Sequence, residues 1–222
     1  MIPLRDKSPT RSVAVINYFL IAANIVAFLF EKSLGPFAND FILRFGVVPS
    51  AWFNETGGLH FSVSTVVPLF TAMFLHGGWM HLLGNMLFLF IFGDNVEDRF
   101  GHTRYLLFYF IAGVAASFTQ IYFNRMSIAP MIGASGAIAG VLGAYLIMFP
   151  KAKILTIVPI FIFIKFMELP AYLFLGIWFL IQIVSGVLSL GIGGDAGGVA
   201  WWAHIGGFAC GIIAVPIFGR RK

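Results

Sequence analysis

Long uncharged stretches recur along this chain and constrain its fold more than any other feature of the sequence. Of its 222 residues, 59% are hydrophobic and only 10% are charged, whereas a soluble domain has about 45–50% apolar and about 25% charged residues. Several stretches approach the roughly 20 apolar residues that a helix needs to cross a bilayer. The sequence therefore predicts an all-α, polytopic membrane protein with six transmembrane helices in one domain, 1–222. The expected spans are approximately 13–31, 80–97, 104–124, 133–150, 169–189 and 201–218.

Basic residues between the spans indicate how the helices cross the membrane. With the N-terminus inside, the inner segments hold eleven of the 14 lysines and arginines, and the outer segments hold three. This is the asymmetry that the positive-inside rule requires. The apolar segment Ile154–Ile164 is shorter than a span, contains Pro159 and is bounded by lysines, so we expect it to be interfacial or re-entrant. Both termini are then cytoplasmic, and a short chain without added domains suggests a prokaryotic inner membrane.

Two outer connections have unusual compositions. The first, roughly 31–78, is long and carries many aromatic residues, so we expect a partly helical structure lying in the outer interface. The second, Gly191–Val199, is rich in glycine and carries a single charge, Asp195. We expect it to form a mobile loop over the outer end of the bundle.

One serine and one histidine each stand among small residues at the head of a predicted span. Ser135 lies in Gly133-Ala134-Ser135-Gly136-Ala137, and His204 lies in Ala203-His204-Ile205-Gly206-Gly207. Both spans run from outside to inside, so the two side chains lie at a similar depth near the outer face, within reach of water. Serines in spans commonly bond to their own helix or bridge helices, and Trp202 offers the alternative of an interfacial anchor. Together, however, the two residues predict a nucleophile and its general base.

Glycines on the same two spans support this pairing. Gly136 and Gly140 form a stripe of small residues on the fourth span, preceded by Gly133, and Gly207 and Gly211 form a stripe on the sixth. Such stripes let helix backbones approach closely in lipid. Close approach is what a serine–histidine hydrogen bond of about 2.6–3.2 Å requires. The alternative is that these glycines serve helix packing alone.

A hydrolytic serine also needs hydrogen-bond donors that stabilise an oxyanion. His81 and Asn85 are four residues apart, share one helix face and lie at the outer depth of Ser135. With the backbone N–H of Ser135, they are the predicted donors. Asn85 can instead form an interhelical hydrogen bond, and His76 is either a third partner or an interfacial residue.

The acidic residues do not complete a catalytic triad. Asp195 belongs to the glycine-rich connection, and Glu97 lies at the inner end of the second span. We therefore expect a Ser–His dyad whose histidine is held by packing, and a structural Glu97 that caps backbone groups or pairs with a base. The single cysteine, Cys210, excludes an internal disulfide and a cysteine metal site. No metal, cofactor or nucleic acid is expected.

Three motifs carry a resemblance to a known family: His76–Met86, Gly133–Gly136 and Ala203–Gly207. Together they resemble the motifs of the rhomboid intramembrane serine proteases. The resemblance implies a six-helix bundle with Ser135 as nucleophile and His204 as general base and acid. It also implies that His81 and Asn85 line the oxyanion site. The expected reaction is cleavage of a peptide bond in or beside a substrate's transmembrane segment, usually after a small residue.

Two positions depart from patterns found in some members of that family. Val67-Pro68 stand near the place of a Trp-Arg pair in the first outer connection. Ala139 stands one turn after the serine, where some members have a tyrosine stacked on the histidine. Another group must therefore hold the His204 ring, and an aromatic side chain from another span is one candidate.

The sequence thus predicts a serine endopeptidase that cleaves transmembrane segments of membrane proteins within the lipid bilayer. The alternative within the same family is a catalytically silent protein that binds membrane-protein clients. A small transporter would often have inverted repeats and polar residues at the bilayer midplane, which the sequence does not have. A metalloprotease of the H-E-x-x-H type would need a carboxylate beside its histidines. The oligomeric state stays open.

Overall fold

The computed structural model describes residues 1–54, 56–160, 163–191 and 198–219. Long helices dominate it, joined by short helical segments and one small sheet. In chain order the helices are α1 (Val15–Ser33), α2 (Ala38–Phe45), α3 (Val63–Val66), α4 (Pro68–Thr71), α5 (Trp79–Phe100), α6 (His102–Phe123), α7 (Ser135–Met148), α8 (Ala171–Gly191) and α9 (Trp201–Phe218). The strands are β1 (Ile2–Asp6), β2 (Lys153–Ile160) and β3 (Phe163–Pro170).

Six of these helices begin and end within three residues of a predicted span: α1, α5, α6, α7, α8 and α9. By length and composition, α1, α6, α8 and α9 can each cross a membrane. Helix α5 is a further candidate together with Val63–Phe74, from which it is bent by 78°. Helix α7 is apolar but has only 14 residues. The prediction of a mostly helical, multi-pass membrane protein is confirmed.

The prediction of an all-α chain is wrong for the segment Ile154–Ile164. The described residues of this segment form most of β2 and the start of β3, an antiparallel pair that β1 extends on the side of β2. Ile154 and Thr156 are fully buried, and β-branched residues favour strands. A short apolar run does not by itself distinguish a strand from a buried helix. The antiparallel pairing of β2 with β3 satisfies the backbone groups of the strands, and β1, more than 140 residues away in sequence, extends the sheet on the other side of β2.

The hairpin returns the chain to the end of the bundle from which it left. The backbone N–H of Ala171, where α8 begins, donates to the carbonyl of Ala152 at 2.8 Å. The N–H of Tyr172 likewise donates to the carbonyl of Pro150 at 3.0 Å. The end of α7 and the start of α8 therefore lie side by side, and the hairpin does not cross the bundle.

Helix α7 lies at the centre of the bundle, with a continuous run of its residues buried. Gly207 and Gly211 of α9 lie so close to the carbonyl oxygens of Gly136 and Gly140 that a Cβ on either would overlap the oxygen. These contacts step along both helices in the same direction, so α7 and α9 are parallel. The two predicted glycine stripes thus face each other, and backbone contact of this kind is what small residues allow in a membrane.

The long connection between α1 and α5 is partly helical and packs against the rest of the bundle. Trp52 is 1% exposed, and its ring lies 5.2 Å from that of Phe118 on α6. The N–H of Gly133 donates to the carbonyl of Ala72 at 2.8 Å. The connection therefore holds the turn that carries Gly133 and leads into Ser135.

Glu97 is completely buried near the C-terminal end of α5, where it binds the start of α1. Its carboxylate accepts hydrogen bonds from the N–H of Ile16 at 3.0 Å and from the N–H of Asn17 at 2.7 Å. It also contacts the Nδ1 of His102. A negative side chain that binds the first N–H groups of a helix stabilises that end. Glu97 therefore ties α1 to α5 and α6.

Two predicted features fall outside the described ranges. The glycine-rich connection Gly191–Val199 includes residues 192–197, among them Asp195, and the C-terminal charges occupy 220–222. Val199 and Ala200 are described and lead directly into α9.

Candidate active site

Ser135 and His204 face each other at the starts of two parallel helices. Ser135 is the first residue of α7, and His204 lies in the first turn of α9. The glycine contacts bring the two backbones together, and the Nε2 of His204 lies 2.8 Å from the Oγ of Ser135. This distance is within the range of a nucleophile and its base. The arrangement can pass the serine proton to the imidazole.

The other ring nitrogen of His204 has a partner that the sequence reasoning missed. Its Nδ1 lies 2.8 Å from the Oε1 of Gln182. The Nε2 of Gln182 donates to the carbonyl of Trp178 at 3.0 Å, and the side chain is 4% exposed. Gln182 lies on α8, and a polar side chain in an apolar membrane helix was the available signal, since such residues mark functional sites.

Aromatic rings also contact His204. The Trp178 ring lies 5.9 Å from it at a tilt of 35°, and the Trp201 ring meets it edge-on at 6.2 Å. Ala139 is buried beside the glycine stripe of α9. The expectation that packing alone holds the histidine is therefore incomplete, because aromatic packing is present together with the hydrogen bond at Nδ1.

Ser135 and His204 open into a cavity of about 990 Å³. Its walls come from α2, α5, α7, α8 and α9 and from the turns that precede α5, α7 and α9. A concave, mainly apolar site with a few convergent polar groups is the usual form of a binding site. Besides the serine and the histidine, the lining includes Trp79, His81, Asn85, Phe88, Leu142 and Trp178.

His81 and Asn85 present hydrogen-bond donors to this cavity. The Nδ2 of Asn85 is buried and has no hydrogen-bond partner among the described residues. The Nδ1 of His81 accepts the N–H of Gly77 at 3.4 Å, so the neutral ring carries its proton on Nε2, which donates to no other described residue. As the first residue of α7, Ser135 also has a backbone N–H without an intrahelical acceptor. Three donors are thus available for a negatively charged oxygen.

Gly133 allows His81 to lie close to the turn before α7. Its φ is 120°, a conformation that residues with a side chain rarely adopt. A Cβ at this position would lie 2.7 Å from the Nε2 and 2.8 Å from the Cε1 of His81. The position therefore requires glycine for two independent reasons, backbone conformation and space.

His76 lies behind His81 and is not among the residues that line the cavity. Its ring is fully buried, 5.0 Å from the His81 ring and 6.5 Å from the Phe28 ring, which it meets edge-on. Its backbone N–H donates to the Oε2 of Glu31 at 3.1 Å. His76 therefore packs against His81 from inside the bundle.

Metal ligands do not cluster in the part of the chain that the structure describes. No three histidine, cysteine or acidic side chains there are placed to hold an ion. Cys210, on α9, is half-buried with a free thiol.

Comparison with known proteins connects these motifs with one family. Residues 63–221 match the family model of the Rhomboid domain. RHOMBOID-like protein 4 of Arabidopsis thaliana is 33% identical over 222 aligned residues, which cover 87% of this chain and 50% of that protein. RHOMBOID-like protein 1 of the same plant is 37% identical over 68% of this chain and 34% of its own length. Rhomboid protease GluP of Bacillus subtilis is 29% identical over 93% of this chain and 35% of its own length. The chain thus spans between about a third and a half of these relatives.

Proposed function

Because this chain belongs to the rhomboid family, we propose that it is an intramembrane serine endopeptidase that cleaves transmembrane segments of membrane proteins. The observation that carries the proposal is the 2.8 Å contact between His204 Nε2 and Ser135 Oγ, in a cavity that His81 and Asn85 also line. The similarity to a Bacillus protein named a rhomboid protease, which extends over 93% of this chain, supports the same activity.

The mechanism is acyl transfer through Ser135. The Nε2 of His204 takes the proton from the Oγ of Ser135 as that oxygen bonds to the carbonyl carbon of the scissile peptide. The carbonyl oxygen becomes an oxyanion and accepts hydrogen bonds from His81 Nε2, Asn85 Nδ2 and the Ser135 N–H. The protonated His204 gives its proton to the leaving amine as the C–N bond breaks. Water, deprotonated by His204, then hydrolyses the acyl-enzyme and restores both side chains.

The length of α7 supports access of this water to Ser135. Its 14 residues extend about 21 Å at ~1.5 Å per residue, whereas the hydrocarbon core of a bilayer is about 30 Å thick. If the C-terminal end of α7 lies at the inner boundary, Ser135 lies roughly 9 Å below the outer one. The cavity beside Ser135 then connects it with the outer aqueous phase.

The proposal includes a topology of six spans, formed by α1 and α5 to α9, with both termini on the cytoplasmic side. The surplus of basic residues on the inner segments supports this orientation. Strand β1 pairs with β2, so the N-terminus shares one end of the bundle with the connection between α7 and α8. The proposed host is a prokaryotic cell membrane, as the sequence predicts; relatives of the chain occur both in Bacillus subtilis and in Arabidopsis thaliana.

A cleavage assay in membranes tests the proposal. Ser135→Ala and His204→Ala should each abolish cleavage, and the fragments mapped by mass spectrometry should end within or beside a transmembrane segment of the substrate. Ser189→Ala is the matched control, because it removes a buried hydroxyl that bonds to the carbonyl of Gly186 in its own helix. This variant should cleave like the wild type.

A fluorophosphonate probe separates the two alternatives within the family. An activated serine reacts covalently with the probe, so the wild type should be labelled at Ser135 and His204→Ala should not. A folded wild type that neither cleaves nor becomes labelled would instead be a catalytically silent member that binds membrane-protein clients.

A further inference from the structure

Gln182 is a buried hydrogen-bonding side chain to which acyl transfer through Ser135 assigns no role. It lies on α8 and connects the Nδ1 of His204, at 2.8 Å, with the carbonyl of Trp178, at 3.0 Å. We propose that Gln182 is a positioning residue that fixes the tautomer and the ring orientation of His204. This inference rests on the roles proposed for Ser135 and His204.

The hydrogen-bond partners of Gln182 determine which way its amide points. A backbone carbonyl can only accept, so the group that faces the Trp178 carbonyl must be the amide NH₂. The amide oxygen then faces the Nδ1 of His204, and because this oxygen can only accept, Nδ1 must carry the ring proton. The Nε2 of the neutral ring is left with its lone pair toward the Ser135 hydroxyl. This is the tautomer that a general base needs.

Gln182 occupies the place that a carboxylate has in a Ser-His-Asp triad, with one physical difference. The triad carboxylate both holds the tautomer and stabilises the imidazolium through its charge. A neutral amide can hold the tautomer without placing an ionised group in a membrane helix, where a charge has a high free-energy cost. An unrestrained amide could flip and present its NH₂ group to Nδ1, which would favour the wrong tautomer. The carbonyl of Trp178 opposes that flip.

Trp178 also limits the rotation of the imidazole. Trp178 and Gln182 are one turn apart on α8 and therefore lie on one face of it. The indole ring lies 5.9 Å from the His204 ring. One helical turn of α8 thus provides both the hydrogen bond at Nδ1 and an aromatic ring packed beside the imidazole.

The test compares Gln182→Leu with Gln182→Glu in the whole chain reconstituted into membranes. Leucine has a similar size but no acceptor, whereas glutamate keeps an oxygen that can accept from Nδ1 in either protonation state. Gln182→Leu should lower kcat and the rate at which a fluorophosphonate labels Ser135, each on the order of tenfold, with KM unchanged. Gln182→Glu should recover most of that loss, and Ser189→Ala on the same helix should lose nothing.

Three kinetic outcomes would overturn the proposal. The first is an unchanged kcat and labelling rate in Gln182→Leu. The second is an equal loss in Gln182→Leu and Gln182→Glu with lower thermal unfolding midpoints in both, which indicates a general packing role. The third is an equal loss in Ser189→Ala.

The tautomer can be measured without any catalysis. In protein with ¹⁵N-labelled histidine, the His204 signals, assigned by their absence from His204→Ala, report which ring nitrogen carries the proton. The proposal expects the proton on Nδ1 in the wild type and a mixture of tautomers in Gln182→Leu. A wild-type proton on Nε2 would overturn it. An inactive, unlabelled wild type with the proton on Nδ1 would overturn the proposed function and leave the role of Gln182 intact.

Discussion

Gly133→Ala should lower the catalytic rate per folded molecule by displacing His81, an effect distinct from any loss of fold stability. The added Cβ would lie 2.7 Å from the Nε2 of His81, whereas carbon atoms in contact are about 3.5–4.0 Å from their neighbours. The His81 ring must therefore move by about 1 Å, and a misplacement of about 1 Å at a catalytic site can lower the rate about 10²-fold. Loss of one oxyanion donor has a similar effect, about 10²–10³ in kcat.

The same substitution also strains the backbone, since the φ of 120° at Gly133 disfavours alanine. Such strain costs of order 1–3 kcal/mol of unfolding free energy. Gly35→Ala is the matched control, because Gly35 has a φ of 54° but no atom within 4 Å of its added Cβ. It should show a smaller destabilisation, because a φ of 54° lies in the left-handed region that other residues can adopt at a cost, and normal activity per folded molecule.

The assay measures kcat and KM on a transmembrane substrate, together with thermal unfolding, for the wild type and both variants. We expect Gly133→Ala to lose about 10²-fold in kcat with little change in KM. A kcat per folded molecule that matches Gly35→Ala would refute the reasoning, because it would mean that the space beside His81 has no bearing on catalysis.

Three further predictions follow from other contacts. Glu97→Ala leaves the N–H groups of Ile16 and Asn17 without their buried acceptor, so its unfolding free energy should fall by about 2–3 kcal/mol; an unchanged denaturation midpoint would contradict the role of Glu97. Burial raises the pKa of Asp6, although the Tyr145 hydroxyl opposes the shift. Because its pKa is higher in the folded than in the unfolded state, protonated Asp6 stabilises the fold below about pH 3.9, and this stabilisation is lost as the pH rises through the folded pKa. Asp6→Asn should remove this contribution from the pH dependence of the thermal unfolding midpoint. Because a helical peptide bond is shielded, each Gly→Ala change near the outer boundary of a substrate segment should slow cleavage about fivefold, from ~1 kcal/mol of helix propensity; equal rates in a fragment-yield assay would rule out substrate unwinding before attack.

The sequence was sufficient for the position of the long helices and for the family. The uncharged stretches predicted α1 and α5 to α9 within three residues at each end, because the insertion of a segment into lipid depends on that segment's own composition. The resemblance to rhomboids is confirmed by the match over residues 63–221. That resemblance rests on short motifs such as Gly133–Gly136, whose residues are adjacent in sequence.

The β2–β3 hairpin and the contacts around His81 could not be predicted from local sequence patterns. The described residues of Ile154–Ile164 pair as β2 and β3, and β1 extends this sheet from the other end of the chain. A short apolar run does not by itself indicate either pairing. The burial of His76 behind His81 likewise depends on how α1 and α5 meet. Such contacts join residues far apart in sequence, and a single sequence does not encode them as a local pattern.

By itself, the sequence determined that this chain lies in a membrane, where its six long helices lie, and which serine and histidine are the candidate nucleophile and base. Only the tertiary structure decided that Gln182 on α8 contacts the Nδ1 of His204. Among the described residues, the partner of this nitrogen is therefore a neutral amide and not an acidic side chain. The physical reason is that hydrophobicity and helix propensity are properties of single segments. The partner of a polar side chain depends on the rotation and spacing of helices, which the packing of the whole bundle sets.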